Sequence, residues 1–312
     1  MGKKEQLESI SLAHLKTHFN KLFFYMISQI TCTTDRILLP EIQVNEVQLY
    51  YEITGEGTPI IFVHEFAGDY ASWEIQVRFF SHCYRVVAYN ARGYPPSSVP
   101  EDPSSYSQDL AVNDLAGIID ALELAPCHVI GLSMGAYAAL HLGLRYPKLL
   151  RSIVVAGCGY GSDPEYRKSF QLDSQKIANR IETEGMEEFV KEYSTGPTRI
   201  QFKKKNPRGY DEFKQKLLTH SSKGLANTLR GVQAVRPSVY DLDGLGTMKL
   251  PVLILTGDED WPCLKPNLFL KKKIQNAAMS MFPNSGHTLN LEEPELFNKL
   301  VQDFLMQVDS RQ

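Results

Sequence analysis

Residues 131–135 read Gly-Leu-Ser-Met-Gly, a G-x-S-x-G pattern that places Ser133 between an apolar run and a helix-forming run. Glycines on both sides of the serine allow a sharp strand-to-helix corner that holds its hydroxyl clear of the backbone. The first N–H groups of the following helix, beginning with that of Met134, would point at a reacting carbonyl oxygen. The bare pattern is a weak signal, but its strand–turn–helix setting predicts a nucleophilic serine.

A serine hydroxyl is nucleophilic near neutral pH only when a base takes its proton and an acid orients that base. Side chains suited to these roles follow two later apolar runs. His287 follows the run 278–282 in a Ser-Gly-His turn, and the acidic segment 257–260 follows the run 252–255. Of the eight histidines, only His287 follows the last predicted strand in a turn. We therefore predict that His287 is the base.

Eight short runs, most of them apolar, supply strands that would position these residues. Helical stretches alternate with most of them, which predicts an α/β fold with a mostly parallel central sheet and helices on both faces. Ligands bind such sheets outside the carboxyl ends of the strands, so we expect the serine, an acid and the histidine to converge at one edge. The predicted strands are Glu41–Val44, Val47–Ile53, Ile60–Val63, Tyr84–Tyr89, Cys127–Ile130, Ser152–Ala156, Val252–Leu255 and Ala278–Phe282.

The pattern divides the chain into an N-terminal helical extension (1–36), a core (37–158 and 241–312) and a helical cap (159–240). The cap interval contains helical periodicity and no convincing strand, and a crossover of that length is usually functional. Within it, we expect the basic run 203–208 to be a solvated loop; the alternative is a site for an anionic partner.

The extension contains an apolar patch, residues 22–27, that no turn signal interrupts. We expect an amphipathic helix that packs on the protein or mediates self-association. The alternatives are a leader without fixed structure, an upstream start codon, or membrane contact. The patch is too short to span a bilayer, and its flanks fit neither a signal peptide nor a myristoylation site, so we expect no membrane contact.

Composition narrows the class of protein. A chain of 312 residues with 43% hydrophobic and 22% charged residues can bury a large core, and a net charge of −3 provides no basic field for nucleic acid. A small neutral or mildly charged substrate fits better. The five cysteines are scattered and have no metal-ligand spacing, so we expect a reducing, cytoplasmic location and no structural metal.

From about residue 36 onward the chain resembles α/β-hydrolase fold proteins of the single-domain esterase, haloperoxidase and C–C hydrolase type. The segments that carry the resemblance are 59–64, 89–94, 131–135, 257–260 and 285–287. The order Ser133, acid, His287 is the order of this family. The resemblance implies that Asp260 is the acid, because the family places it three residues after the glycine that ends the strand. Asp258 and Asp163 are the alternatives.

Two departures from the family pattern concern loops at the proposed site. The family usually has His-Gly at the oxyanion turn, where this chain has His64-Glu65; a glutamate would restrict the backbone or place a carboxylate beside the pocket. The resemblance implies that the backbone N–H groups of Phe66 and Met134 hold the developing oxyanion. Residues 90–95 read Asn-Ala-Arg-Gly-Tyr-Pro in place of Asp-x-Arg-Gly-x-Gly, a change that we expect to affect loop shape.

The sequence thus predicts a cofactor-free serine hydrolase that cleaves a carboxylic ester or a similar small acyl substrate. The same triad with a different pocket would hydrolyse a C–C bond, a lactone or an amide. A non-catalytic ligand-binding receptor on the same fold is the alternative from another class, and an incomplete triad would favour it. A serine at the elbow, in place of aspartate, argues against haloalkane dehalogenase and epoxide hydrolase chemistry.

Overall fold

The computed structural model describes residues 40–311, so the expected extension at 1–36 lies outside the described residues. An eight-stranded sheet runs in the order β1-β2-β4-β3-β5-β6-β7-β8. Strand β2 pairs antiparallel with β1 and β4, and all other neighbours are parallel. The strands are β1 (Glu41–Val44), β2 (Val47–Thr54), β3 (Thr58–Val63), β4 (Tyr84–Tyr89), β5 (Cys127–Leu132), β6 (Leu150–Ala156), β7 (Val252–Gly257) and β8 (Ala277–Phe282). The predicted fold class is confirmed, and each predicted strand is present.

Helices cover both faces of the sheet. One face packs on α2, α3 and α9, and the other packs on α1 and α11. The helices outside the β6–β7 connection are α1 (Glu74–Phe80), α2 (Gln108–Ala121), α3 (Met134–Arg145), α9 (Trp261–Lys273), α10 (Leu289–Glu292) and α11 (Pro294–Asp309).

Strand β3 shows why the central strands are continuously apolar. Its side chains alternate between the two faces, with Ile60 and Phe62 in one core and Ile61 and Val63 in the other. Both faces are covered, so no position from Ile60 to Val63 faces water. The parallel pairing of β3, β5, β6, β7 and β8 brings their carboxyl ends to one edge, where the site lies.

The connection between β6 and β7 is mainly helical, with short 3₁₀ and π turns and with irregular segments at its two ends. It contains α4 (Arg167–Glu184), α5 (Met186–Tyr193), α6 (Ile200–Lys205), α7 (Pro207–Leu218) and α8 (Ser222–Thr228). Apolar side chains of these helices form a third cluster with Phe66, Tyr94 and Met134 at the strand ends. We refer to residues 159–240 as the cap; its role in catalysis stays a prediction.

The basic run at 203–208 differs from the expected loop. It spans the end of α6 and the start of α7, because the Asn206 side chain accepts a hydrogen bond from the N–H of Gly209 (2.9 Å) and Pro207 begins α7. Lys203 and Lys204 are exposed, whereas Lys205 is partly buried. The expectation of a fully solvated loop was therefore wrong.

Within residues 40–311, no helix has the length and apolar character needed to cross a membrane.

Candidate active site

Ser133 occupies a strained corner between β5 and α3. Its backbone angles, φ 53° and ψ −109°, are rare for a residue with a side chain, and strain of this kind is retained chiefly at functional sites. A Cβ atom on Gly131 would lie 2.3 Å from the carbonyl oxygen of Gly135, and one on Gly135 would lie 2.1 Å from that of Val63. Only glycine fits at either position, so the two glycines of the motif permit the corner.

His287 and Asp260 form a buried pair at the ends of β8 and β7. The Nδ1 atom of His287 lies 2.8 Å from Oδ2 of Asp260, and the side chains are 4% and 1% exposed. An ionised carboxylate can only accept a hydrogen bond, so Nδ1 carries the proton and Nε2 is left free to accept one. Burial lowers the pKa of His287, but the charge and hydrogen bond of Asp260 raise it more, and the pKa lies above its usual 6.5.

The structure brings Asp260 to His287 and places the two other candidate acids elsewhere. Asp258 accepts a hydrogen bond from the backbone N–H of Ser285 (3.1 Å). Asp163 pairs at 3.2 Å with Lys265, whose side chain is 68% exposed. Neither carboxylate bonds to the imidazole.

Ser133 and His287 both border the end of β6. The N–H of Ser133 donates to the carbonyl oxygen of Ala156 (2.8 Å), and a Cβ atom on the next residue, Gly157, would lie 3.3 Å from the imidazole ring. No hydrogen bond joins the Ser133 hydroxyl to His287 in the described part of the chain. Catalytic hydrogen bonds of this type often form only when substrate is bound.

The two predicted oxyanion donors, Phe66 and Met134, lie on adjoining segments. Met134 is the first residue of α3, so its N–H has no partner within the helix. The hydroxyl of Tyr94 donates to the carbonyl oxygen of Phe66 (2.6 Å) and lies 3.9 Å from the Met134 sulfur. Tyr94, which sequence reasoning did not single out, thus holds the peptide that follows Phe66 beside the elbow.

His64 connects the oxyanion turn to the loop after β4. Its Nε2 accepts from the N–H of Ala91 (3.0 Å), so its Nδ1, 2.7 Å from the carbonyl oxygen of Glu65, is the donor. Burial lowers the pKa of His64 to about 4, which keeps the ring neutral and this bonding pattern fixed near neutral pH.

Glu65 does not strain the oxyanion turn, since its backbone avoids the left-handed region. Its carboxylate receives two hydrogen bonds from Arg199 of the cap, at 2.9 and 2.7 Å, and both residues are fully buried. Tyr193 accepts a further bond from Arg199 (2.8 Å). Sequence reasoning missed Arg199; the only signal was an acidic residue in a buried turn, which requires a cationic partner.

Asp260, Cys263 and His287 are the one group of side chains in residues 40–311 whose donor atoms cluster closely enough to hold a metal ion, within 4.8 Å of one another. Two of these donors already bond to each other. Burial and the nearby Asp260 raise the pKa of the Cys263 thiol well above its usual value, which disfavours the thiolate that metals prefer. The arrangement suits proton transfer better than metal binding.

Comparison with known proteins agrees with the fold. A family model described as alpha/beta hydrolase fold matches residues 58–294. The chain is 27% identical over 268 residues to a putative 2-succinyl-6-hydroxy-2,4-cyclohexadiene-1-carboxylate synthase of Bacillus subtilis, covering 83% of this chain and 95% of that protein. It is 28% identical to 3-oxoadipate enol-lactonase 1 of Acinetobacter baylyi, covering 83% and 94%.

Solved structures give the same result. A thermophilic esterase from Thermogutta terrifontis matches with a TM-score of 0.76 and 25% identity, covering 86% of this chain and 98% of that one. An enol-lactonase from Burkholderia xenovorans matches with a TM-score of 0.75 and 23% identity, covering 86% and 100%. The chain belongs to the α/β hydrolase fold family and is an α/β hydrolase, as the sequence predicted.

Proposed function

We propose that this protein is a cofactor-free serine hydrolase that cleaves a carboxylic ester or a similar small acyl substrate. The observation that carries the proposal is the buried His287–Asp260 pair, bonded at 2.8 Å, at the same sheet edge as a serine held at a strained corner. These are the base, the orienting acid and the nucleophile that acyl transfer requires.

The reaction begins when Nε2 of His287 takes the hydroxyl proton of Ser133 and the serine oxygen attacks the substrate carbonyl carbon. The carbonyl π electrons move to its oxygen, and the N–H groups of Met134 and Phe66 stabilise that oxyanion. When the tetrahedral intermediate collapses, the bond to the leaving alkoxide breaks and His287 returns the proton to it. Water then attacks the acyl-enzyme in the same way and releases the acid.

Within this class, we propose a lactone as the second candidate substrate. A lactone is a cyclic ester, so the same steps apply and the leaving alkoxide stays attached to the acyl group. The support is that two relatives are named 3-oxoadipate enol-lactonases, 28% and 23% identical to this chain. The esterase and lactonase hypotheses use the same catalytic residues. They differ in whether the pocket accepts a linear or a cyclic ester.

A fluorophosphonate probe tests the nucleophile directly. We expect a covalent adduct at Ser133 that peptide mapping locates, loss of labelling in Ser133→Ala, and unchanged labelling in Ser169→Ala. Ser169 is a matched control because it is exposed on α4, where its hydroxyl bonds to its own helix. A folded wild-type protein that forms no adduct would refute the proposal and favour the ligand-binding alternative.

Nitrophenyl esters of increasing acyl length and a set of lactones then define the substrate. Faster turnover of linear esters favours the esterase hypothesis. Faster ring opening of lactones, measured by the acid that is released, favours the lactonase hypothesis. If the probe labels Ser133 but neither set of compounds is turned over, the result favours hydrolysis of a C–C bond or an amide.

A further inference from the structure

One segment of the cap bonds to three loops at the proposed active site. We call residues Arg199–Lys205, which comprise Arg199 and helix α6, the strap. Three of its polar contacts run to loops that follow three different strands, β3, β7 and β8; Arg199 also bonds to Tyr193, and Lys205 also pairs with Glu293. The three loop contacts are Arg199 with Glu65, Gln201 with Glu259, and Lys205 with Ser285 (2.9 Å).

Each strap partner is a near neighbour of a group that the proposed reaction uses. Glu65 precedes the oxyanion donor Phe66, Glu259 precedes the acid, and Ser285 lies two residues before the base. The strap also covers the backbone of the last loop, because a Cβ atom on Gly286 would lie 3.6 Å from Cβ of Gln201. Displacement of the strap would therefore disturb all three loops together.

The strongest of these contacts is the pair between Arg199 and Glu65. Its two bonds, at 2.9 and 2.7 Å, match the fork of a guanidinium to the two oxygens of a carboxylate. The Arg199 carbon Cζ lies 5.1 Å from the ring centre of Tyr193 and 4.9 Å from that of Phe213. Aromatic rings thus flank the guanidinium, and both side chains are buried, so water screens the charges of the pair only weakly.

Both charges of this pair act on His287. Asp260 and Cys263 contact the imidazole, and Glu292 on α10 accepts hydrogen bonds from the N–H groups of the residues on either side of His287. Glu65 and Arg199 influence the pKa of His287 through their charges. Glu65 favours the protonated imidazole and Arg199 opposes it, so the two charges act on the pKa of His287 in opposite directions, beside the larger effects of burial and of Asp260.

We propose that the strap is a positioning element of the active site, in which Arg199 holds the oxyanion turn through Glu65 and neutralises that buried carboxylate. The inference rests on the proposed hydrolase function for its catalytic consequence. Arg199 and Glu65 are positioning residues, since neither contacts the reacting atoms. The cap would thereby contribute to the assembly of the site as well as to the walls of the pocket.

An NMR titration of His287, whose signal is assigned by comparison with His287→Gln, tests without any substrate whether the charges of Glu65 and Arg199 act on this imidazole. In Glu65→Gln the unopposed Arg199 cation disfavours the imidazolium, so we expect the pKa of His287 to fall by about half a unit or more. The double variant Glu65→Gln/Arg199→Met has neither charge and no unpaired buried ion, so its His287 pKa should return close to the wild-type value. Glu212→Gln removes an exposed partner of Arg208 on α7 and should change nothing.

Arg199→Lys separates charge from geometry, because lysine keeps the cation but cannot form the two-bond fork. We expect an unchanged His287 pKa with kcat reduced about 10-fold or more and KM little altered. A purely structural role would lower the melting temperature without the pKa shift in Glu65→Gln or its reversal in the double variant. An unchanged or raised pKa in Glu65→Gln overturns the inference, whereas absence of fluorophosphonate labelling in the wild type overturns only the proposed function.

Discussion

Replacement of Asp260 by asparagine removes the charge beside His287 at almost constant volume. The carboxylate oxygen lies 2.8 Å from Nδ1 in a buried environment, so the asparagine amide must occupy the same space. If its NH₂ group faces the ring, Nδ1 must become the acceptor and the proton moves to Nε2. That tautomer cannot take a proton from Ser133.

The magnitude follows from these contacts. Serine hydrolases with the wrong imidazole tautomer lose a factor of roughly 10⁴ in kcat, which corresponds to about 5 kcal/mol of transition-state stabilisation. If the amide oxygen faces Nδ1 instead, the tautomer survives, but the main influence that raises the pKa of His287 is gone. Burial then dominates, and the pKa falls. We therefore expect Asp260→Asn to reduce kcat by about 10³–10⁴-fold in either orientation.

Steady-state kinetics with the best nitrophenyl ester or lactone measures this effect. Asp258→Asn is the matched control on the same loop, because Asp258 bonds to the backbone N–H of Ser285 and an asparagine oxygen can accept the same bond. We expect less than about a 10-fold loss there. Near-normal turnover in Asp260→Asn, combined with a large loss in Asp258→Asn, would refute the assignment of the acid.

Three further predictions concern pH and folding. The pKa of His287 is raised above 6.5 by the neighbouring carboxylate, so the acidic limb of the kcat/KM profile should lie above pH 6.5, and a limb near pH 5 would contradict this. Three other histidines have a pKa lowered to about 4, chiefly by burial: His64, His128 and His141. Between pH 6.5 and 4 the unfolded chain binds more protons at these rings than the folded protein does. The stability that the neutral rings contribute is therefore complete above pH 6.5 and is lost as the pH falls through 4. The loss is roughly 3 kcal/mol for each ring. Urea unfolding at a series of pH values measures the loss, and a flat profile from pH 7 to 5 would rule it out. Gly131→Ala should reduce the free energy of unfolding by about 1–3 kcal/mol, because its Cβ would lie 2.3 Å from a backbone oxygen. The control Gly246→Ala, whose Cβ would have no atom nearer than 4.0 Å, should be close to neutral in the same unfolding assay.

The fold was predictable because its signals are local. A buried strand with both faces covered must be apolar along its length, and the run at 60–63 has that character within four consecutive residues. The elbow pattern was also local, since Gly131 is required by a contact within the turn, although Gly135 is required by a contact with Val63 on β3. The fold class and the family are confirmed, whereas the catalytic roles and the cap assignment stay predictions.

Pairings between distant segments have no local signal in the sequence. The residues themselves left three acids open and only the family resemblance favoured Asp260; the packing of the loops after β7 and β8 brings Asp260 to His287, while Asp258 bonds to the backbone. Glu65 and Arg199 are separated by 134 positions and belong to the core and the cap. No local pattern relates two such residues, because their contact depends on how the cap packs over the strand ends.

By itself, the sequence determined the positions of the strands along the chain, the glycine-bounded corner at Ser133 and the loop that carries His287. Backbone sterics and the burial of apolar strands act over a few residues, so these features can be predicted from short stretches of sequence. The tertiary structure decided which carboxylate orients the imidazole and which cation neutralises Glu65. Those choices depend on distances of about 3 Å between side chains that only the folded chain brings together.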